Sequence, residues 1–180
     1  MSFQSFSTPP EERIRIYSEK DLETYNVKPG SRIEIEDDNF SHWAVYLGDG
    51  EICHLTVRAP DGKSLPSVAI QLLDSKDATI SVEPVTNLLR RGSKVYVNNH
   101  ADKKWKPLPQ AEIVQRAKSK EGESRYGLVD YNCESFANWC RYNKTESEQV
   151  TRVSKWVMIF GGAALGIVAA PSAITSSIRQ

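Results

Sequence analysis

The stretch YNCESF at residues 131–136 marks the start of a helix whose first turn carries a cysteine. Asn132 is a favourable N-cap residue, because its side-chain oxygen can accept a backbone N–H that the helix leaves free. No Gly or Pro interrupts the sequence from Cys133 to Tyr142. Positions i, i+3, i+4 and i+7 of this run form one apolar helix face, made of Cys133, Phe136, Ala137 and Cys140.

Cys133 is a candidate nucleophile because of its place in the first helical turn. Free backbone N–H groups and the positive end of the helix dipole both favour the thiolate, the form of cysteine that attacks carbonyl carbons. The alternative is that Cys133 is a small buried apolar residue, as free cysteines often are. The histidines upstream favour the interpretation of Cys133 as a nucleophile.

Two histidines, His42 and His54, fall on the two strands of a predicted hairpin, 42–47 and 51–57. A two-residue turn at Asp49-Gly50 would place them on opposite faces of the sheet. A three-residue loop, 48–50, makes paired residue numbers sum to 98, so that His54 lies diagonal to His42 at roughly 7–8 Å. This loop suits a glycine at position 50. We expect both imidazoles on one face; the alternative is that one is a surface histidine.

Further periodic segments complete a mixed domain of strands and helices. Alternating or β-branched runs predict strands, and a helical period predicts the remaining long helix. The predicted strands cover residues 32–36, 80–85 and 94–98, the helices cover 18–23 and 110–120, and residues 85–89 form a short helix or an edge.

Composition narrows the classes of function. The chain has 180 residues, which suits one domain, and its 23 basic and 23 acidic residues give a net charge of zero. This balance does not suggest nucleic-acid binding. Cysteines are three in number, and Cys133 and Cys140 stand roughly 10 Å apart on one helix, too far for a disulfide. With no signal peptide at the N-terminus, we expect a reducing, cytosol-facing location.

The C-terminal segment differs in composition from the rest of the chain. From Trp156 to Ala170 every residue is apolar or Gly, and no charge occurs between Lys155 and Arg179. Fifteen residues of helix span roughly 22 Å, less than the ~30 Å hydrocarbon core of a bilayer. The segment lacks a polar face, so we expect a membrane anchor at 155–178. The alternative is a buried helix of the domain.

Taken together, these motifs resemble the lecithin:retinol acyltransferase-like family, and within it the small phospholipase A and acyltransferase (HRAS-like suppressor) members. The resemblance covers about residues 27–170. It rests on short matching segments, which are 30–35, 42–50, 54–55, 97–99, 107–109, 115–117, 132–136 and 141–142.

The resemblance implies an α+β fold, a circularly permuted papain-like domain in which an antiparallel sheet packs on helices. The domain would occupy residues 27–150, between a flexible N-terminal segment at 1–26 and a C-terminal hydrophobic anchor helix at 155–178. We expect a monomer that is cytoplasmic and attached to intracellular membranes.

The resemblance also assigns roles. Cys133 would be the nucleophile that forms an acyl-thioester, His42 its general base, and His54 the residue that orients or polarises His42. Calcium, other metals and cofactors are not required. Substrates would be glycerophospholipids, with possible N-acylation of phosphatidylethanolamine. The chain departs from the family pattern at Ser135, where typical members have His, and at Phe40, where some have Tyr.

Two other classes of function remain. One is a catalytically inactive, membrane-tethered scaffold or regulatory protein that keeps the fold. The other is a cysteine peptidase of the permuted papain type.

Overall fold

A computed structural model of the protein describes residues 13–36, 41–57, 78–123 and 132–146. These residues form one six-stranded sheet with spatial order β1-β6-β2-β3-β4-β5, in which every neighbouring pair is antiparallel. The strands are β1 (Ile14–Ile16), β2 (Arg32–Glu36), β3 (Ser41–Gly48), β4 (Glu51–Val57), β5 (Ala78–Pro84) and β6 (Lys94–Val97).

Within the described residues, four α-helices and one 3₁₀ helix accompany the sheet. They are α1 (Glu19–Thr24), α2 (Val85–Arg90), the 3₁₀ helix His100–Lys103, α3 (Gln110–Ser119) and α4 (Cys133–Tyr142). The α+β class and the antiparallel sheet are thus confirmed. Residues 85–90 form a helix and not an edge strand.

The hairpin of β3 and β4 has the predicted register but not the predicted turn. Gly48 pairs with Glu51 across a two-residue turn, Asp49-Gly50. Both turn residues have positive φ, 50° and 74°, as a type I′ turn requires. A bulge between Tyr46 and Gly48 then shifts the register, so that Ala44 lies opposite His54. The extra residue in β3 does what the three-residue loop was expected to do.

The two faces of the sheet bury separate apolar clusters. One cluster joins the sheet to α3 and α4 and includes Trp43, Val45, Leu55, Ile113 and Phe136. The other lies against α1 and α2 and includes Ile16, Leu22, Ala44, Ile52 and Leu88. Because side chains alternate along a strand, even-numbered residues of β3 face the second cluster and odd-numbered ones face α4.

Part of the N-terminal segment forms regular structure, β1 and α1. Ile16 in β1 and Leu22 in α1 are buried in the second cluster, at 1% and 3% exposure. Asp21 secures the start of α1 by accepting the backbone N–H groups of Tyr17 and Ser18 at 2.8 and 3.0 Å. These two apolar side chains join the N-terminal segment to the core, and the flexibility of residues 1–26 stays a prediction.

Other predictions about organisation are not tested. The permuted papain-like topology and the domain limits stay predictions, and the anchor at 155–178 lies outside the described residues. Of the helices within residues 13–146 that the structure describes, none has the length and apolar character needed to cross a bilayer.

The C-terminal end of α4 is fixed to two loops by one arginine. Arg141 donates from Nε and Nη2 to the two carboxylate oxygens of Asp102, at 2.9 and 2.6 Å, and from Nη1 to the carbonyl of Gly30 at 2.8 Å. The hydroxyl of Tyr142 donates to the same Asp102 at 2.6 Å. These bonds set the position of the helix along the sheet, and therefore the position of its first turn.

Gly30 is expected to tolerate no side chain. Its φ is +87°, and a Cβ there would lie 3.0 Å from Ile113 Cδ1, whereas Gly92, with φ +78°, has nothing within 4 Å. Replacement by Ala costs about 1–2 kcal/mol of backbone strain at either position, and overpacking adds about 1–3 kcal/mol at Gly30. Urea unfolding should show Gly30→Ala to be clearly less stable than Gly92→Ala. Equal losses would mean that Gly30 does not pack against α3.

Candidate active site

Cys133 begins α4, as predicted. Asn132 caps the helix, its Oδ1 accepting the backbone N–H of Ser135 at 2.8 Å. The thiol is buried, with 5% of the residue exposed, and its Sγ lies 4.0 Å from the carbonyl oxygen of Ser41. The Trp43 backbone N–H lies near enough to lower the pKa of the thiol. The sulfur therefore lies beside the backbone on both sides of His42, at the beginning of β3.

The prediction that Cys133 favours the thiolate is wrong for the resting protein. Burial raises the pKa of the Cys133 thiol to about 12, and the carboxylate of Glu134 acts in the same direction. The N–H groups of Trp43, Glu134 and Cys133 itself lower that pKa, but they do not offset the loss of water. The thiol is neutral at pH 7 and needs a base to remove its proton.

His42 and His54 share a sheet face, as predicted, and their rings are in contact. His42 Nε2 lies 2.8 Å from His54 Nδ1, and the ring centroids are 5.1 Å apart with the planes inclined at 68°. Both residues are 3% exposed. Since His42 uses Nε2 for this contact, Nδ1 is the nitrogen that remains for a reacting group.

The imidazole pair and the thiol approach β3 from different sides. Both histidines extend from the face that carries Ala44 and Ile52, while Cys133 belongs to the cluster on the α4 face. Among the described residues, the contacts of the thiol are to the backbone that flanks His42 and not to its ring. The thiol therefore lies at the beginning of β3, beside the strand that carries His42. The approach of the two rings to Cys133 stays a prediction.

Glu83 on β5 is a member of the site that the sequence did not indicate. Its Oε1 lies 2.9 Å from His54 Nε2. The approach is close but not well aligned as a hydrogen bond, and neither atom has another hydrogen-bond partner in the described part of the chain. The second oxygen accepts from Asn87 Nδ2 at 3.1 Å and Arg91 Nη2 at 3.0 Å.

Glu83 and His42, at the two ends of this line of contacts, differ in charge. Burial raises the pKa of Glu83, but the contact with His54 and the donors Asn87 and Arg91 outweigh it and lower the value to about 2. Burial, together with the neighbouring His54, holds the pKa of His42 well below 6.5, although Glu83 opposes this. Near neutral pH the site therefore contains an ionised carboxylate at one end and a neutral imidazole at the other.

The described residues contain no group of three or more His, Cys, Asp or Glu side chains that could hold a metal ion. Cys53 and Cys140 are buried free thiols in the cluster beneath α4. Neither is at a helix start. Burial raises the pKa of Cys53 to about 12.

Comparison of the sequence with known protein families identifies the family of this chain. A family model described as lecithin retinol acyltransferase matches residues 25–146, which include β2 to β6 and all of α4. The chain belongs to this family.

Several named relatives are similar over most of the chain. Phospholipase A and acyltransferase 3 of Mus musculus is 38% identical over 145 residues, which are 78% of this chain and 88% of the relative. Phospholipase A and acyltransferase 2 of Homo sapiens is 35% identical over 147 residues, which are 81% of this chain and 86% of the relative. Phospholipase A and acyltransferase 5 of Homo sapiens is 33% identical over 153 residues, which cover 84% of this chain but 51% of the relative.

Membership of the lecithin retinol acyltransferase family confirms the resemblance found in the sequence. The names of these relatives describe phospholipases A and acyltransferases. The individual roles of Cys133, His42 and His54 stay predictions, because no comparison assigns them.

The depressed pKa of His42 predicts acid sensitivity of the fold. An unfolded histidine binds a proton below pH 6.5, whereas buried His42 does not until the pH reaches its lower folded pKa. The unfolded state therefore gains protons first, and the free energy of unfolding falls as the pH drops below 6.5, by up to about 1.4 kcal/mol per pH unit. Urea unfolding at pH 5 to 8 should show a shallower slope for His42→Gln. Parallel slopes would contradict the neutral, buried state of His42.

Proposed function

We propose that this protein is a cysteine-dependent, calcium-independent phospholipase A and acyltransferase that acts on glycerophospholipids. The observation that supports this most is the pair of buried, contacting imidazoles on β3 and β4, with Cys133 at a helix start beside the same strand. The chain's family and the names of its relatives supply the substrate class.

In the first step, the thiol of Cys133 transfers its proton to Nδ1 of His42 while Sγ attacks the ester carbonyl carbon of an acyl chain. His54 holds the opposite nitrogen of the His42 ring and so fixes its orientation. The tetrahedral intermediate collapses, the C–O bond breaks, and His42 returns the proton to the departing lysophospholipid oxygen. The acyl group remains on Cys133 as a thioester.

The second step depends on the acceptor. Water gives a free fatty acid and hence phospholipase activity. The amine of phosphatidylethanolamine gives N-acylation, and a lysophospholipid hydroxyl gives O-acylation. In each case His42 accepts a proton from the acceptor and returns it to the Cys133 sulfur, which restores the starting state.

The neutral resting state of the Cys133 thiol and of His42 decides when the proton is transferred during catalysis. Since the Cys133 thiol is protonated and His42 is uncharged near pH 7, proton transfer accompanies attack instead of preceding it. Transfer also needs the thiol to turn from the backbone contact at Ser41 toward the imidazole. Hydrogen bonds of this kind often tighten only when substrate is bound.

Membrane attachment is the second part of the proposal. The segment at 155–178, which is uncharged after Lys155, would anchor the cytoplasmic domain to intracellular membranes and bring it to its lipid substrate. Burial of fifteen apolar residues contributes several kcal/mol, at about 25 cal/mol per Å² of apolar surface.

Thioester formation is expected to require Cys133 and His42. Intact-protein mass spectrometry after incubation with phosphatidylcholine vesicles should show one hydroxylamine-sensitive acyl group on the unmodified protein. Cys133→Ser and His42→Ala should abolish it. The buried thiols provide matched controls, so Cys53→Ala and Cys140→Ala should keep it. Loss of acylation in a folded Cys140→Ala protein, with retention in Cys133→Ser, would overturn the assignment.

Deletion of residues 156–180 is expected to separate chemistry from membrane access. The truncated protein should form the thioester with a dispersed short-chain phospholipid at close to the full-length rate, because Cys133, His42 and His54 all precede the deletion. On vesicles it should lose most of its activity through weaker binding. Aggregation, or loss of thioester on the dispersed substrate, would show instead that the segment belongs to the folded core.

A further inference from the structure

Glu83, His54 and His42 form a row of contacting side chains that crosses β5, β4 and β3. Glu83 Oε1 faces His54 Nε2 at 2.9 Å, and His54 Nδ1 faces His42 Nε2 at 2.8 Å. Each of the two contacts has room for one proton. A neutral imidazole carries a proton on one nitrogen and a lone pair on the other. The nitrogen that carries the proton in one imidazole therefore decides which nitrogen carries it in the other.

The carboxylate of Glu83 decides which nitrogen of His54 carries the proton. An ionised carboxylate accepts hydrogen bonds and donates none, so Glu83 favours the proton of His54 on Nε2. Nδ1 of His54 is then an acceptor, and His42 must donate from Nε2. The lone pair of His42 is consequently left on Nδ1, the nitrogen that has no role in the row.

We propose that Glu83 is a positioning residue that sets the tautomers of His54 and His42, leaving Nδ1 of His42 unprotonated as the base for the Cys133 thiol. This inference rests on the proposed acyl-transfer function for its catalytic consequence. The tautomers themselves are a property of the folded protein and do not depend on any substrate.

The surroundings of Glu83 make a glutamine substitution informative. Asn87 and Arg91 both donate to Oε2 of Glu83. In Glu83→Gln the single carbonyl oxygen of the amide is needed for these two donors. The amide nitrogen then faces His54 Nε2 and donates to it, which moves the proton of His54 to Nδ1. His42 Nε2 becomes the acceptor, and its proton moves to Nδ1, so the base is lost.

The test is a histidine-selective ¹⁵N NMR experiment on the full-length protein in detergent. Two-bond ¹⁵N–¹H correlations distinguish the Nδ1–H and Nε2–H tautomers. With three histidines in the chain, the variants His100→Gln and His54→Gln assign the signals. We expect His42 and His54 as Nε2–H tautomers in the unmodified protein, and both as Nδ1–H tautomers in Glu83→Gln.

The kinetic arm uses the rate of acylation of Cys133 by dispersed short-chain phospholipid. Glu83→Gln should slow it by roughly 10²-fold or more, the contribution of a general base. Glu51→Gln removes the same charge from an exposed position on β4 and should leave both the tautomers and the rate unchanged.

The two arms distinguish this inference from the proposed function. An Nδ1–H tautomer or a charged ring at His42 in the unmodified protein overturns the inference, even if Glu83→Gln does not fold. Unchanged tautomers in folded Glu83→Gln overturn it as well. If the tautomers respond as expected but the unmodified protein never acylates Cys133, the proposed function fails and the role of Glu83 in setting the tautomers stands.

Discussion

The bulge in β3 between Tyr46 and Gly48 determines which face of the sheet carries His54. Without the extra residue, the hairpin would close in an odd register and His54 would extend toward α4, away from His42. With it, Ala44 lies opposite His54, and the two imidazoles meet at 2.8 Å. Since a register shift of one residue moves every side chain of a strand to the other face, the pair depends on this one irregularity.

The two faces of the sheet give Cys133 and the histidines different surroundings. On one face, α4 is held by Arg141 through Asp102 and the Gly30 carbonyl, and this fixes Cys133 against the first residues of β3. On the other face, His42, His54 and Glu83 form a line of contacts, and Glu83 accepts from Asn87 of α2. Burial on both sides keeps the thiol and His42 uncharged, so the resting site holds no thiolate–imidazolium pair, and its reactivity depends on a base that can reach the thiol.

Much of this could be predicted from sequence because it depends on short-range patterns. Alternation predicted the observed bounds of β2, the hairpin turn predicted those of β4, and Asn132 with the apolar spacing after Cys133 predicted the start of α4. The register was predicted for the wrong turn, since two different turns give the same residue pairing. Glu83 was not predictable, because twenty residues separate β4 from β5 and the register between them cannot be counted from a turn.

The remaining failure was energetic. A position at a helix start favours the thiolate, but local sequence does not reveal how much water a folded site excludes, and burial outweighs the N–H groups around Cys133. The most direct measurement is therefore the pH dependence of single-turnover Cys133 acylation by a dispersed phospholipid. A general base with the lowered pKa of His42 predicts a rate that is half-maximal below pH 6.5 and level from there to pH 8. A rate that climbs tenfold per pH unit up to pH 9 would contradict the account, because it would require a thiolate formed without His42.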